Sequence, residues 1–423
     1  MQSAEQDSRK IRKLILREKS LLQAREYLRA GRSVNLFGLS DPAKLWYAAA
    51  LQAESGRPLV LLVFIPDAHF FVSYNPWYAA ALQAESGRPL VLLVPDEARL
   101  RVAEEELKEI IAAGKSEGQP VLTFRARELT LYDARAASRE EEIYRLATLD
   151  SIRRQQFSFL IVSAEALLQK LIRPERLARF SLEFRPGMQI EPEELERRLS
   201  LAAYERVGRV ERPGHYARRG DIIDIYPAKI NDLTAETDPC LRLSFFDIEI
   251  DEIKRFDPES QRSAERLDSA RIPPAREWLL LAEEREELAH KVLAQTRDTV
   301  VEARRRSLSR DMIAKLERMG NNDAERIANG IFFPAQDRWM PLMEEKAASL
   351  QDYLKTADPL YLIDEYSEIK TVMQESQAGF YLRLQSLIEN AEAPAAAHAL
   401  QRSAHEVLLE LDAAGSIQFQ QYF

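Results

Sequence analysis

The hydrophobic pattern of this 423-residue chain changes character twice. Up to about residue 173, short apolar runs such as Val34 to Phe37 and Phe157 to Val162 alternate with stretches of helical periodicity. That alternation is typical of a parallel sheet covered by helices. It returns after Pro273, with an apolar strand at 360–364 and a helix from about Glu368 to Asn390. We therefore predict an α/β fold in which one parallel α/β domain is formed by two chain segments.

The stretch between these segments, residues 174–271, is rich in β-type residues. One run, Ile222 to Tyr226, is apolar and ends at Pro227, and a second run, Leu241 to Phe246, alternates with period two. Alternate residues of a strand point to opposite faces of the sheet. The alternation predicts that Leu241, Leu243 and Phe245 face the core. The intervening residues, Arg242, Ser244 and Phe246, form an outward set. We expect an inserted, small β-rich α+β domain that also contains a helix at about 194–203.

The outward set places a guanidinium and an aromatic ring four residues apart on one strand. Arg and aromatic residues are the types that dominate protein interfaces. Arg219, just before the first run, reaches the same face if neighbouring runs pair as hairpins. The alternative is that Phe246 caps a second small core and that both arginines are solvated.

At these residues the chain resembles a known family. The segment RRGDIIDIYPA, followed by LRLSFFDIEIDEIKRFDPESQRS, is similar to the UvrB-homology region of the bacterial transcription-repair coupling factors, the Mfd family. The ending FDPESQRS with IPPAREW resembles this family more than UvrB itself. The resemblance implies that the inserted domain binds UvrA, and motif matching assigns the contacts to Arg219, Arg242 and Phe246.

The same resemblance implies a function for the whole chain. It would be an interaction module that recruits UvrA for nucleotide excision repair at stalled RNA polymerase. The family's complete proteins are ATP-driven DNA translocases, but neither that motor nor the domain that binds RNA polymerase is recognisable here. RNA polymerase and DNA would therefore be contacted only through domains outside this chain.

A degenerate nucleotide site is the main evidence against an enzyme. A strand, a loop and a helix are the setting of a phosphate-binding loop, yet the sequence from Gly38 reads G-x-x-x-x-A-K-L. Ala43 and Leu45 replace the glycine and the hydroxyl residue, so only Lys44 of the Lys-hydroxyl pair remains. Asp364-Glu365, at the end of a later strand, resembles the acidic pair that holds Mg²⁺ in ATP-driven motors. We expect a motor-like relic that neither hydrolyses ATP nor binds it tightly; the alternative is a UvrB-like ATP-dependent DNA damage-binding subunit.

An unbroken repeat interrupts the first segment, because residues 46–63 and 77–94 are identical. Two identical segments cannot fill one position in a core, so we expect only one copy to occupy the sheet. The expected organisation is 1–173 and 272–397 for the α/β domain, 174–271 for the insertion, and 398–423 for a linker and the start of a truncated following domain. Residues 391–397 are a further linker candidate.

The charge and residue composition bear on DNA binding, disulfides, metal sites and membrane segments. A net charge of −9 is unusual for a chain that binds DNA strongly by itself. The basic run Arg304 to Arg306 has the character of a solvated helix end. Cys240, the single cysteine, excludes an internal disulfide and fits a reducing cytoplasm. Scattered histidines and the lack of a long apolar run lead us to expect no metal, no cofactor and no membrane segment.

Overall fold

A computed structural model describes the fold over most of the chain. The described residues are 34–37, 59–61, 90–101, 104–105, 121–132, 139–157, 159–227, 240–344, 346–357, 360–364, 366–413 and 416–420. The strands are β1 (Val34–Phe37), β2 (Leu59–Leu61), β3 (Leu90–Val94), β4 (Val121–Phe124), β5 (Phe159–Ser163), β6 (Leu182–Phe184), β7 (Glu205–Arg206), β8 (His215–Arg219), β9 (Ile222–Tyr226), β10 (Leu241–Phe246), β11 (Glu249–Phe256), β12 (Ser263–Arg266), β13 (Ala270–Ile272), β14 (Leu360–Asp364) and β15 (Ser416–Gln420). The helices are α1 (Arg139–Arg153), α2 (Ala164–Leu168), α3 (Pro174–Phe180), α4 (Pro192–Leu201), α5 (Ala282–Arg305), α6 (Arg310–Ala328), α7 (Met340–Met343), α8 (Leu350–Leu354), α9 (Tyr366–Glu389) and α10 (Ala404–Ala413).

The larger sheet has seven strands in the order β1-β15-β14-β2-β3-β5-β4, and every pairing in it is parallel. Its strands come from both predicted segments, so the α/β class is confirmed. All five residues of β5 are buried, as expected for a strand that helices cover on both faces. The main core lies between this sheet and helices α1, α2, α9 and α10, where Leu160, Val162, Leu146 and Leu149 are fully buried.

The end of the chain differs from the expectation of a separate following domain. Strand β15 lies between β1 and β14 and pairs with both. Helix α10 contributes Val407 and Leu411 to the main core. The expected linker is also packed, because Ala391, Ala393 and Ala397 are buried. Strand β15 carries no local sign of its place, because it pairs with β14 across an intervening helix pair and with β1 from the start of the described chain. Small alanines fit beneath helices as readily as they form a linker.

The two repeat copies also differ from the expectation. Strand β2 belongs to the first copy and β3 to the second, and both lie side by side in the seven-stranded sheet. Val60 pairs with Val91, the equivalent residue of the other copy. A parallel sheet can accept an identical strand in register, because the copy offers the same hydrogen-bonding edge and the same apolar faces. The remainder of the first copy and residues 77–89 of the second lie outside the described residues.

The inserted domain is built on a second, six-stranded sheet in the order β12-β11-β10-β9-β8-β7. Its pairings are antiparallel except that between β7 and β8. Helix α4 covers one face, where Leu195 and Leu199 pack with Ile223, Leu243 and Ile253. Strands β6 and β13 pair with each other where the chain enters and leaves this domain.

Helices α5 and α6 form an antiparallel pair whose contact depends on Gly320. A Cβ atom at Gly320 would lie 2.0 Å from Oγ1 and 2.5 Å from Cγ2 of Thr296. Thr296 is buried, and its hydroxyl donates to the Val292 carbonyl at 2.7 Å, so it cannot move aside freely.

We therefore expect Gly320→Ala to lower the free energy of unfolding by about 1–3 kcal/mol through overpacking. Gly379 in α9 is the matched control, because the nearest atom to its added Cβ, Arg383 Nη1, would lie at an ordinary 3.5 Å. Gly379→Ala should instead stabilise the chain by about 0.5–1 kcal/mol through helix propensity. Urea denaturation of both variants measures the two effects, and equal effects would contradict the packing argument.

Candidate interaction surface of the inserted sheet

The two faces of strand β10 are confirmed as predicted. Leu241, Leu243 and Phe245 are buried beneath α4, whereas Phe246 is 79% exposed. The face opposite α4, called the outward face from here on, carries Arg242, Ser244 and Phe246 from this strand. The register against β11 shifts between Ser244 and Phe245, and such a shift locally bends and twists a strand pair.

Phe246 lies at one end of the outward face with two further exposed apolar side chains nearby. Ile222 pairs with Ser244 and is 37% exposed, and Ile248 in the β10–β11 turn is 40% exposed. Glu249 lies directly opposite Phe246. We call Ile222, Phe246 and Ile248 the apolar platform. Among the described residues, Phe246 is the most exposed large hydrophobic side chain, which is the feature expected of an interface anchor.

Arg219 lies at the edge of this platform. It pairs with Ile222 across the β8–β9 hairpin, which places it on the outward face as predicted. Its side chain is exposed, and its Nη2 donates one hydrogen bond, to the Gly208 carbonyl at 3.1 Å. Three exposed acidic residues adjoin the platform residues along the chain: Asp221, Asp247 and Glu249.

Arg242 shares the outward face but differs in environment. Its side chain is 17% exposed and forms a bidentate ion pair with Asp224 of β9. Nε donates to Oδ1 at 2.7 Å, and Nη2 donates to Oδ2 at 2.9 Å. This hydrogen-bonded pair raises the pKa of the Arg242 guanidinium. The guanidinium carbon also lies 4.8 Å from the centre of the Phe256 ring.

A second small core does lie on the outward side, but Phe246 does not cap it. Its buried members are Val210, Ala217, Cys240 and Phe256. Arg242 covers Phe256, while Phe246 stands four residues further along β10 and remains exposed. The alternative drawn from the sequence is therefore right about the core and wrong about the residue that caps it.

The residues of the expected nucleotide relic are only partly described. Gly38, Lys44 and Glu365 lie outside the described residues. The neighbouring strands β1 and β14 are parallel to β15 on either side, so the end of β1 at Phe37 and Asp364 lie at one edge of the sheet, two strand positions apart. Because three of the four residues lie outside the described residues, the degenerate nucleotide site stays a prediction.

Sequence reasoning missed a buried cluster of charges where the α/β segments meet the insertion. Arg127 contacts Glu277 through Nε at 3.2 Å and Asp337 through Nη1 at 2.9 Å. Arg145 donates to the other oxygen of Glu277 at 2.9 Å. Glu142 accepts the backbone N–H of Glu277 at 2.8 Å. The available signal was the motif PPAREW, in which Glu277 sits among buried residues.

Burial raises the pKa of Glu142 from 4.5 to about 7. The positive charge of Arg127 lowers this pKa, whereas the negative charges of Glu277 and Asp337 raise it. A carboxyl group with a raised pKa binds its proton more tightly in the folded chain than in the unfolded chain. Its contribution to stability is therefore present below pH 4.5 and is lost as the pH rises to about 7. The loss amounts to about 3 kcal/mol.

We expect Glu142→Gln to stabilise the chain at pH 8 and to change little at pH 5, because the amide stays neutral at both. Urea denaturation at the two pH values measures this difference. Glu141 is the exposed neighbour in the same helix, and Glu141→Gln should leave the pH dependence of the parent unchanged. Equal stabilisation by Glu142→Gln at both pH values would contradict the proposed protonation.

Within the described residues, no group of three or more His, Cys, Asp or Glu side chains is placed to hold a metal ion. No helix in the same part of the chain is both long enough and apolar enough to cross a membrane.

Comparison with known proteins gives two findings. Residues 182–278, which include the outward face, match the family model described as the UvrB interaction domain. The transcription-repair-coupling factor of Bacillus subtilis (strain 168) is 30% identical over 273 residues, covering 63% of this chain and 22% of that protein. Those of Haemophilus influenzae and Escherichia coli are 27% and 30% identical, covering 56% and 38% of this chain and 18% and 13% of the relatives. The chain thus matches about a fifth or less of the length of these relatives.

Proposed function

We propose that this chain, which is similar to the transcription-repair-coupling factors and whose residues 182–278 match the UvrB interaction domain, recruits UvrA for nucleotide excision repair at stalled RNA polymerase. The contact is made by the outward face of the inserted sheet. The observation that carries this proposal is the 79% exposure of Phe246 inside the matched domain, beside two other exposed apolar residues. A ring held outward by a rigid strand loses little conformational freedom on binding, which favours affinity.

In this proposal the chain is a binding module in the cytoplasm and performs no covalent chemistry. The seven-stranded domain is a motor-like scaffold whose nucleotide site has degenerated, and it supports the inserted domain. RNA polymerase and DNA are engaged by parts of the complete protein that this chain does not cover. Arg219 and the apolar platform form the contact. The planar guanidinium of Arg219 binds a carboxylate of UvrA through two hydrogen bonds.

A pull-down with purified UvrA tests the proposal. The full chain should retain UvrA, and the retention should be lost when Arg219 and Phe246 are both replaced by alanine. Tryptophan fluorescence and thermal melting of the double variant provide the folding control. Failure of the parent chain to retain UvrA would defeat the proposed function.

A further inference from the structure

We infer that Arg242 is a positioning residue of the outward face and does not itself contact the partner. This inference rests on the proposed function, since the partner is UvrA. The three residues that motif matching assigned to the contact, Arg219, Arg242 and Phe246, therefore have two different roles. Arg219 and Phe246 meet the partner, whereas Arg242 fixes the strands that present them.

Most N–H donors of the Arg242 side chain already bind acceptors within the inserted domain. A guanidinium has five N–H donors. Nε and Nη2 bind the two oxygens of Asp224 at 2.7 and 2.9 Å, and Nη1 lies 3.2 Å from the Gln261 carbonyl and 3.3 Å from Ser263 Oγ. Four donors are therefore engaged, and a two-pronged contact with a partner carboxylate would require breaking an existing bond.

The burial of Asp224 makes such an exchange unfavourable. Asp224 is 2% exposed, so a rotation of Arg242 toward a partner would leave a buried carboxylate without its cation. Arg219 differs in this respect, because its side chain is exposed and its Nη2 donates to a backbone carbonyl, that of Gly208. Only Arg219 can turn to a partner at small cost.

The contacts of Arg242 reach across the sheet. Asp224 belongs to β9, Phe256 to β11 and Ser263 to β12, while Arg242 itself belongs to β10. One side chain therefore joins four neighbouring strands on the outward face. Phe246 is four residues further along β10, about 13 Å away at the usual rise per residue. Arg242 is too far from the ring to share one partner pocket with it, but it holds the strand on which the ring stands.

The test replaces the ion pair without leaving a buried charge. Asp224→Leu with Arg242→Met keeps the volume of the pair and removes both charges, and such replacements of buried pairs are often neutral for stability. UvrA affinity, its salt dependence and thermal melting are measured for this double variant and for Arg242→Ala. We expect the double variant to bind UvrA within about threefold of the parent, with the same slope of log Kd against log salt concentration. Arg242→Ala should lower both the melting temperature and the affinity, because Asp224 is left unpaired.

A double variant that melts like the parent but binds at least about tenfold more weakly, with a shallower salt slope, would overturn the inference. If this variant does not fold, the neutral hydrogen-bonding pair Asp224→Asn with Arg242→Gln is measured against the same two outcomes. The proposed function fails differently, because then the parent chain itself does not bind UvrA and both ideas are defeated. Binding that survives in the parent and is lost only with the arginine charge defeats the positioning role alone.

Discussion

Phe246→Ala should weaken the binding of UvrA by about 30-fold or more, equivalent to about 2 kcal/mol, and leave the melting temperature unchanged. The ring is 79% exposed and belongs to none of the hydrophobic cores among the described residues. Its removal therefore takes away partner contacts without opening a cavity in the fold. Isothermal titration with UvrA, together with thermal melting, measures both quantities.

Two controls bracket this prediction. Phe245 is the adjacent residue but lies in the core at 7% exposure, so Phe245→Ala should destabilise the chain by about 3–5 kcal/mol. Leu382 is 70% exposed on α9, in the other domain, so Leu382→Ala should affect neither binding nor melting. If Phe246→Ala binds like the parent, or if it unfolds the domain, the assignment of the ring is wrong.

Asp323→Asn should lower the free energy of unfolding by about 3–5 kcal/mol, because it breaks a buried ion pair and leaves a charge behind. One oxygen of Asp323 accepts hydrogen bonds from Arg338 Nε at 2.9 Å, Arg338 Nη2 at 2.6 Å and Trp339 Nε1 at 2.6 Å. Asp323 and Arg338 are 2% and 3% exposed, so little solvent can compensate for the lost charge.

The matched control is an exposed pair in the neighbouring helix. Glu302 pairs with Arg306 at 2.8 Å, and the two side chains are 48% and 73% exposed. Because solvent screens such a pair, Glu302→Gln should cost less than about 1 kcal/mol. Urea denaturation of both variants compares them, and similar losses would contradict the account of the buried pair.

The parts of the fold that sequence predicted are those that depend on local periodicity. The alternation from Leu241 to Phe246 identified the core face and the outward face of β10, because burial on one side of a strand repeats every second residue. The helix expected at 194–203 is present as α4, residues 192–201, which covers the core face. The pattern placed Phe246 and Arg242 on the same face for the same reason.

What sequence reasoning could not give depends on pairing between distant residues. Asp224 and Arg242 are opposite each other only because β9 and β10 pair with that register. The one available signal was a carboxylate in the middle of the apolar run from Ile222 to Tyr226, since a charge is rarely buried without a partner. The place of β15 in the middle of the sheet, between β1 and β14, is set in the same non-local way.

Amide hydrogen exchange of the full chain with and without UvrA tests the central claim most directly, because it reports where the partner lies. The account predicts slower exchange on UvrA addition for residues 219–222 and 244–250, which carry Arg219 and the apolar platform. It predicts no change around the exposed residues Ile331 and Phe332 in the other domain. Protection confined to any other region, or no protection at saturating UvrA, would contradict the account.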